Sequence, residues 1–540
     1  MLRTLLNRVE SINLTFSSWI LGFLGILFVR TFLESFSDVP ATGNMTSDAS
    51  TIVHYYLYFL AVTVSLLLFL GLFIDRAKLE KISLFALAGN IVVPLLDLII
   101  SKGRGSLHYL TADGAGLLKS FFLFFTQTPI SGVTAGIRIS VYLGLVALFL
   151  YMMYSTNSIK KAALAVFGSY AIMFFWGSLP SVWKLFIDLF SPEGVAMSVS
   201  QFFITSEAAS VISRNFLHPT VQLSYFRGAE VFFNVALSSL YYIFIFFLVA
   251  SYFFVRHREK FSAILKNSRQ FRASHYYIMI GIGLLLGSKI SPVWISWNWL
   301  DVVSLVVLFL AYFCARAYAG GVNDIEDLEI DRISNPHRPL PSGLLTVGDI
   351  KNTNLFFLAW ALLGGFLVGE YALFTIVAAL FASYVYSAPP LRLKAYPLIA
   401  TFLIALASLA AFTAGFYFTS LDKTTRALPG AYILLIVLAL TLGENAKDIK
   451  DVEGDKRSGI YTLPVIFGER MGKKIVGILA ALAFLSVPII LPSTTLFVVS
   501  LCAGITVYFL VNRKEYSERP IFLLSFIYAA IAVPLVFFML

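Results

Sequence analysis

Charge is what this chain most lacks. Of its 540 residues only 13% are Asp, Glu, Lys or Arg, about half the share in a soluble domain. A chain of this length with so little charge cannot present a water-soluble surface, and a soluble globular class is excluded. Cysteine is almost missing as well. Cys314 and Cys502 both lie inside apolar runs, which excludes a disulfide framework and a cysteine-based metal site. Short segments of alternating hydrophobicity, the mark of a membrane β-barrel, are absent. So is a small-residue cleavage site in "MLRTLLNRVESINLTFSSWILGFLGILFV", so this opening stretch is expected to be retained as a span.

What is present is hydrophobicity, at 59% of residues with a mean hydropathy of +0.83. Apolar runs of about 20 residues, enough to cross a bilayer, recur along nearly the whole sequence. Backbone groups in lipid must be satisfied within the segment, so these runs are expected to be helices. The fold class is an all-α polytopic membrane protein with about fifteen transmembrane helices. Six are expected near 16–34, 53–74, 82–100, 138–154, 161–179 and 231–255. Nine more are expected near 276–290, 299–321, 353–369, 371–388, 397–419, 429–446, 473–491, 493–511 and 520–539. The less apolar segment 180–230 reads as external or interfacial helices.

The net charge of +10 is an orientation signal and not a sign of nucleic-acid binding. Arg256, Arg258, Lys260, Lys266, Arg269 and Arg272 cluster in 256–275, while 35–52 contains no Lys or Arg. An inside N-terminus followed by six and then nine spans places the basic segment in the cytoplasm, together with loops 322–352, 389–396 and 447–472. Lys102, Arg104 and Lys119 fall on the outer side in this scheme. The basic segment is also the expected domain boundary. Residues 1–260 form an N-terminal membrane domain and 261–540 a second domain of nine spans.

Those three inner loops hold unusual chemistry. "NDIEDLEIDRISNPHRPLPSG" places Asp324, Asp327 and Asp331 at i, i+3 and i+7, which on a helix is one face. Arg316 precedes them within an apolar run, where an intramembrane Arg is costly and a functional candidate by default. The spacing recurs in "GENAKDIKDVEGDKRSG", with Asp448, Asp451 and Asp455, and with Asn445 one turn earlier. A single charge run is usually a solvated loop. Two runs with matching spacing on one side of a membrane argue for a shared cation. Hard oxygen donors suit Mg²⁺, which keeps several waters and commonly bridges carboxylates to substrate phosphates. Arg332, Arg338, Arg392, Lys394, Lys447 and Lys456 lie in the same loops and could grip phosphate, although positive-inside placement alone would explain any one of them.

At these residues the second half resembles the UbiA superfamily of intramembrane prenyltransferases. The matching pieces are "NDIEDLEIDRISNPHRPLPSG", "YSAPPLRLK" and "ENAKDIKDVEGDKRSGIYTLPVIFG", in that order, within about residues 265–540. The wording is most similar to the archaeal geranylgeranylglyceryl phosphate geranylgeranyltransferases. The resemblance implies a nine-helix bundle with a polar cavity opening to lipid, Mg²⁺ as cofactor, and a prenyl diphosphate and a membrane-soluble lipid or aromatic acceptor as substrates. It implies that Asn323, Asp324, Asp327 and Asp331 hold one Mg²⁺–diphosphate contact. Asp448, Asp451 and Asp455 then hold the other or position the acceptor. It further implies that Arg316, Arg338, Arg392 and Lys394 reach diphosphate oxygens. Asn445, Lys447 and Lys456 are candidates beside them.

Within that reading, Asp324, Asp327, Asp448 and Asp451 are the catalytic candidates, and one motif carboxylate takes the acceptor proton. Two alternatives stand at this point: phosphoribosyl transfer to a polyprenyl phosphate, and a transporter or lipid-binding protein using the acidic sites for ions. The first 260 residues have no acidic repeat and no metal motif, and a scaffold or protein-partner role is open for them. Asp97 is either functional or a packed, hydrogen-bonded carboxylate; His54, His108 and His218 read as structural, and Trp176 sits in or near a span.

Overall fold

A computed structural model describes residues 8–42, 49–101, 109–126, 128–130, 132–190, 198–204, 225–267, 270–290, 297–450, 452–457 and 459–539. All regular elements among them are helices. Fourteen are long and apolar enough to cross a membrane: six up to Val231–Arg256 and eight from Trp299–Glu326 onward. The fifteenth expected span, near 276–290, lies in the 21-residue helix Gln270–Ile290. Large apolar side chains such as Ile99, Leu189 and Phe538 stand almost fully exposed on these helices or beside them, which only a lipid surround makes tolerable. Of the segment expected to be interfacial, the described part holds helices Leu179–Asp188 and Val199–Ile204. His108 and His218 fall outside the described residues.

The chain divides into two compact units, one built chiefly from residues up to His257 together with Asn298–Val303, the other from Arg258–Trp297 and Ser304–Leu540. The first unit is held by buried polar groups. Arg30 and Glu34 form a 2.7 Å ion pair with both side chains almost fully enclosed, and the guanidinium also lies over the rings of Tyr55 and Phe59. His54 shares a 2.7 Å hydrogen bond with the Tyr109 hydroxyl, and the Tyr241 hydroxyl donates to Tyr109. Trp176 donates to the Ser65 hydroxyl at 3.0 Å. Asp97 is buried and accepts from the Thr134 hydroxyl and the Gly136 N–H, both at 2.8 Å. It therefore caps helix Ala135–Thr156, whose first N–H groups have no partner within the helix. Asp97 is thus the hydrogen-bonded, packed carboxylate of the two readings.

The second unit packs on small residues. Helices Gln270–Ile290 and Ile399–Thr419 lie in close contact. A Cβ on Gly283 would stand 2.0 Å from the Phe412 carbonyl oxygen, and one on Gly415 would stand 2.1 Å from that of Ile280. Apolar helices in lipid gain little by excluding water from each other, so close backbone approach at small residues is a main source of association. Gly415→Leu should cost about 3 kcal/mol or more by overpacking against backbone that cannot yield. Thermal unfolding in detergent will show this as a large drop in midpoint. Gly144→Ala, where nothing lies within 4 Å of the added carbon, should leave the midpoint in place.

Candidate functional site

The first acidic motif straddles a break. Helix Trp299–Glu326 carries Arg316, Asn323 and Asp324, a short helix Leu328–Ser334 follows, and Asp327 stands between them with φ −99° and ψ 10°. The second motif is interrupted as well. Helix Gly430–Gly443 tightens into a 3₁₀ segment Glu444–Ile449 before helix Val452–Arg457. Each motif is therefore carried by a broken helix and not by one continuous helix. Like charges on one face repel, and in the first motif Asp324, Asp327 and Asp331 each meet partners of their own.

Asp327 is the hub. The Asn323 amide donates to its Oδ2 at 2.8 Å. Lys394 and Arg392 both reach Oδ1, the Arg Nη2 at 3.3 Å. Ser387 donates to Asn323 Oδ1 at 3.1 Å, so the stretches around 323–327 and 387–394 converge here. Arg392 has φ +42°, a left-handed conformation uncommon outside glycine, and its buried Nε has no hydrogen-bond partner. Lys394 is buried, and burial pulls its ammonium below the ordinary lysine range, with Asp327 opposing that effect. Asp331 accepts from the Asn335 amide at 2.9 Å and pairs with Arg338. Buried Asp324 accepts from the Asn267 amide.

Helix Leu328–Ser334, which carries Asp331, touches helix Val452–Arg457, which carries Asp455. Asp448 sits in the 3₁₀ segment, and Lys456 is exposed on the second short helix. Asp451 lies outside the described residues. Asn445 is buried and turned back on its own helix, donating to the carbonyls of Thr441 and Leu442.

A cavity of about 510 Å³ adjoins these segments. Arg316, Asn323, Tyr386, Glu444 and Lys447 give it polar groups, whereas Met279, Phe412, Leu440, Phe484 and Phe526 are among the apolar residues that make up most of its wall. Lys447 donates to the Tyr386 hydroxyl at 3.1 Å and its ammonium lies 5.1 Å from the centre of that ring. The space offers an apolar chain a long wall and a charged group a cluster of donors.

Among the described residues, no three His, Cys, Asp or Glu side chains converge as a ready metal cage. Asp327 and Asp331 instead pair with protein cations. The donor set still fits Mg²⁺, which binds through one or two carboxylates and completes its octahedron with water and phosphate. Asp324, Asp327, Asp331, Asp448 and Asp455 supply hard oxygens for this. Sequence reasoning missed Asn267, Tyr386, Ser387 and Glu444. Tyr386 and Ser387 lie inside the quoted "YSAPPLRLK" stretch and Glu444 directly precedes the second motif, whereas nothing local marks Asn267.

Comparison with known proteins agrees with these motifs. Residues 276–531 match the UbiA prenyltransferase family. The digeranylgeranylglyceryl phosphate synthase of Sulfolobus acidocaldarius is 33% identical over 218 residues, covering 38% of this chain and 74% of that protein. The enzyme of the same name from Methanocaldococcus jannaschii is 29% identical over 195 residues, covering 36% of this chain and 64% of that protein. A solved UbiA homologue from Archaeoglobus fulgidus, bound to GPP and Mg²⁺, is 21% identical, with a TM-score of 0.40 over 52% of this chain and 100% of its own. On the sequence evidence, this multi-pass membrane chain belongs to the UbiA prenyltransferase family.

Proposed function

We propose that the chain is a Mg²⁺-dependent prenyltransferase that moves a prenyl group from a prenyl diphosphate to a glyceryl phosphate lipid acceptor. The observation that supports this reading is the contact between helices Leu328–Ser334 and Val452–Arg457, which follow Asp327 and Asp448 in the two acidic motifs. The acceptor class follows the names of the relatives from Sulfolobus and Methanocaldococcus. Residues 1–260 are then a separate membrane domain, and 261–540 the transferase. The N-terminus and both acidic motifs face the cytoplasm, following the Lys and Arg distribution.

When bound, Mg²⁺ would neutralise charge that develops on the leaving diphosphate. The chain's own residues do the rest. Arg316 and Lys447 at the cavity, with Arg392 and Lys394 beside Asp327, bind diphosphate oxygens; Asp327 holds the last two in place. Donors set in advance where charge appears in the transition state accelerate bond breaking. The apolar wall orients the prenyl chain and keeps water from the allylic carbon as the C–O bond breaks. The acceptor hydroxyl then attacks, and its proton passes to a motif carboxylate.

The test is Mg²⁺-dependent pyrophosphate release by the purified protein in detergent, with geranylgeranyl diphosphate as donor and a native lipid extract as acceptor. Release, together with a labelled prenylated lipid, supports the reading. No release with any prenyl donor, but turnover of a phosphoribosyl diphosphate, would replace it.

A further inference from the structure

We propose that helix Arg258–Asn267 is a strap that positions the first acidic motif, with Asn267 as a positioning residue for Asp324. This rests on the transferase reading above. The helix is attached at three points. At its start, Lys260 Nζ lies 2.8 and 2.9 Å from the two carboxylate oxygens of Asp349. Asp349 is in turn fixed by the capping box it forms with Thr346. At its middle, Ala263 is buried with Leu340, Leu345 and Ile350, and Ile264, Ile325, Leu328 and Val347 pack around them. Ile325 and Leu328 are the neighbours of Asp324 and Asp327 in the chain. At its end, the Asn267 amide donates to Asp324 Oδ2.

The chemistry of that last contact matters. An amide N–H is an uncharged donor that does not ionise at ordinary pH. It can orient a carboxylate without cancelling the charge that a cation needs. Partners of this kind, one layer out from a ligand, typically set metal affinity or activity by 10- to 100-fold.

The strap also lies outside the family match, which begins at residue 276. A single residue, His257, separates it from helix Tyr225–Arg256, the last helix of the N-terminal half. The strap therefore follows that half directly in the chain and meets the acidic motif through packing and a hydrogen bond.

The test uses full-length protein and two readings: Mn²⁺ binding without substrate, by loss of the free-ion EPR signal, and the Mg²⁺ dependence of pyrophosphate release from geranylgeranyl diphosphate. Asn267→Ala should raise the half-saturating Mn²⁺ and Mg²⁺ about tenfold while the unfolding midpoint stays near wild type. Asn267→Gln, which keeps the amide donor, should recover most of the loss. If Asn267→Ala does not fold, Lys260→Ala at the other end of the strap should shift both readings in the same direction by a smaller factor. Wild-type binding and turnover in the folded variant overturn the proposal, and so does a gain in turnover, which would make the contact inhibitory. Asp324→Asn separates the two readings. If it loses Mn²⁺ while Asn267→Ala keeps it, the strap alone is wrong; if both keep it, the site reading fails.

Discussion

Asp324→Asn should lower turnover by about three orders of magnitude and leave the protein folded. The substitution keeps shape and the hydrogen bond from Asn267 but removes the charge a Mg²⁺–diphosphate complex would need. Loss of one group that stabilises transition-state charge costs about 10²–10³ in rate, and lost metal binding adds to that. Asp448→Asn in the second motif should act alike, because that motif repeats the DxxDxxxD spacing of the first. Pyrophosphate release with geranylgeranyl diphosphate measures both variants, and detergent unfolding checks that they are folded. Near-normal rates in the two would end the metal–diphosphate reading.

The second large effect is on stability. Lys394 retains only 6% of its side-chain exposure beside Asp327. Truncating one member of a buried ion pair strands the other, at a cost of about 3–5 kcal/mol. Asp327→Ala should therefore lower the unfolding midpoint strongly, even though Arg392 also reaches that carboxylate. Adding Lys394→Met should restore much of the loss, since two groups in contact do not contribute additively. Turnover should not recover in the double variant, because both groups are assigned to diphosphate binding. Equal midpoints for the single and double variants would show that Lys394 finds other partners. Full activity in the double variant would remove both residues from the site.

Much of the architecture was legible from residue order. Hydropathy is a local property, and a run such as Ile399–Thr419 announces its helix without reference to anything else. The repeated DxxDxxxD spacing and the "YSAPPLRLK" stretch marked three of the segments that meet at the site. The pairings within it were not legible. Spacing alone put Asp324, Asp327 and Asp331 on one face, but it could not say that they meet Asn267, Lys394 and Arg338. Asn445, on the same helical face by spacing, turns back to the carbonyls of Thr441 and Leu442. The choice between a functional and a structural Asp97 needed Gly136, 39 residues away in sequence.

The sequence by itself determined that this is a many-helix membrane protein with two matched acidic motifs and the wording of one enzyme family. Composition, period and motif spacing are properties of neighbouring residues, and no folding is required to read them. Tertiary structure decided which carboxylate meets which cation, which glycines face a backbone carbonyl, and that Asn267 reaches Asp324 across 57 positions. Those outcomes depend on how helices cross and where they kink. Buried polar groups must then find partners among whatever side chains the packing brings within about 3 Å.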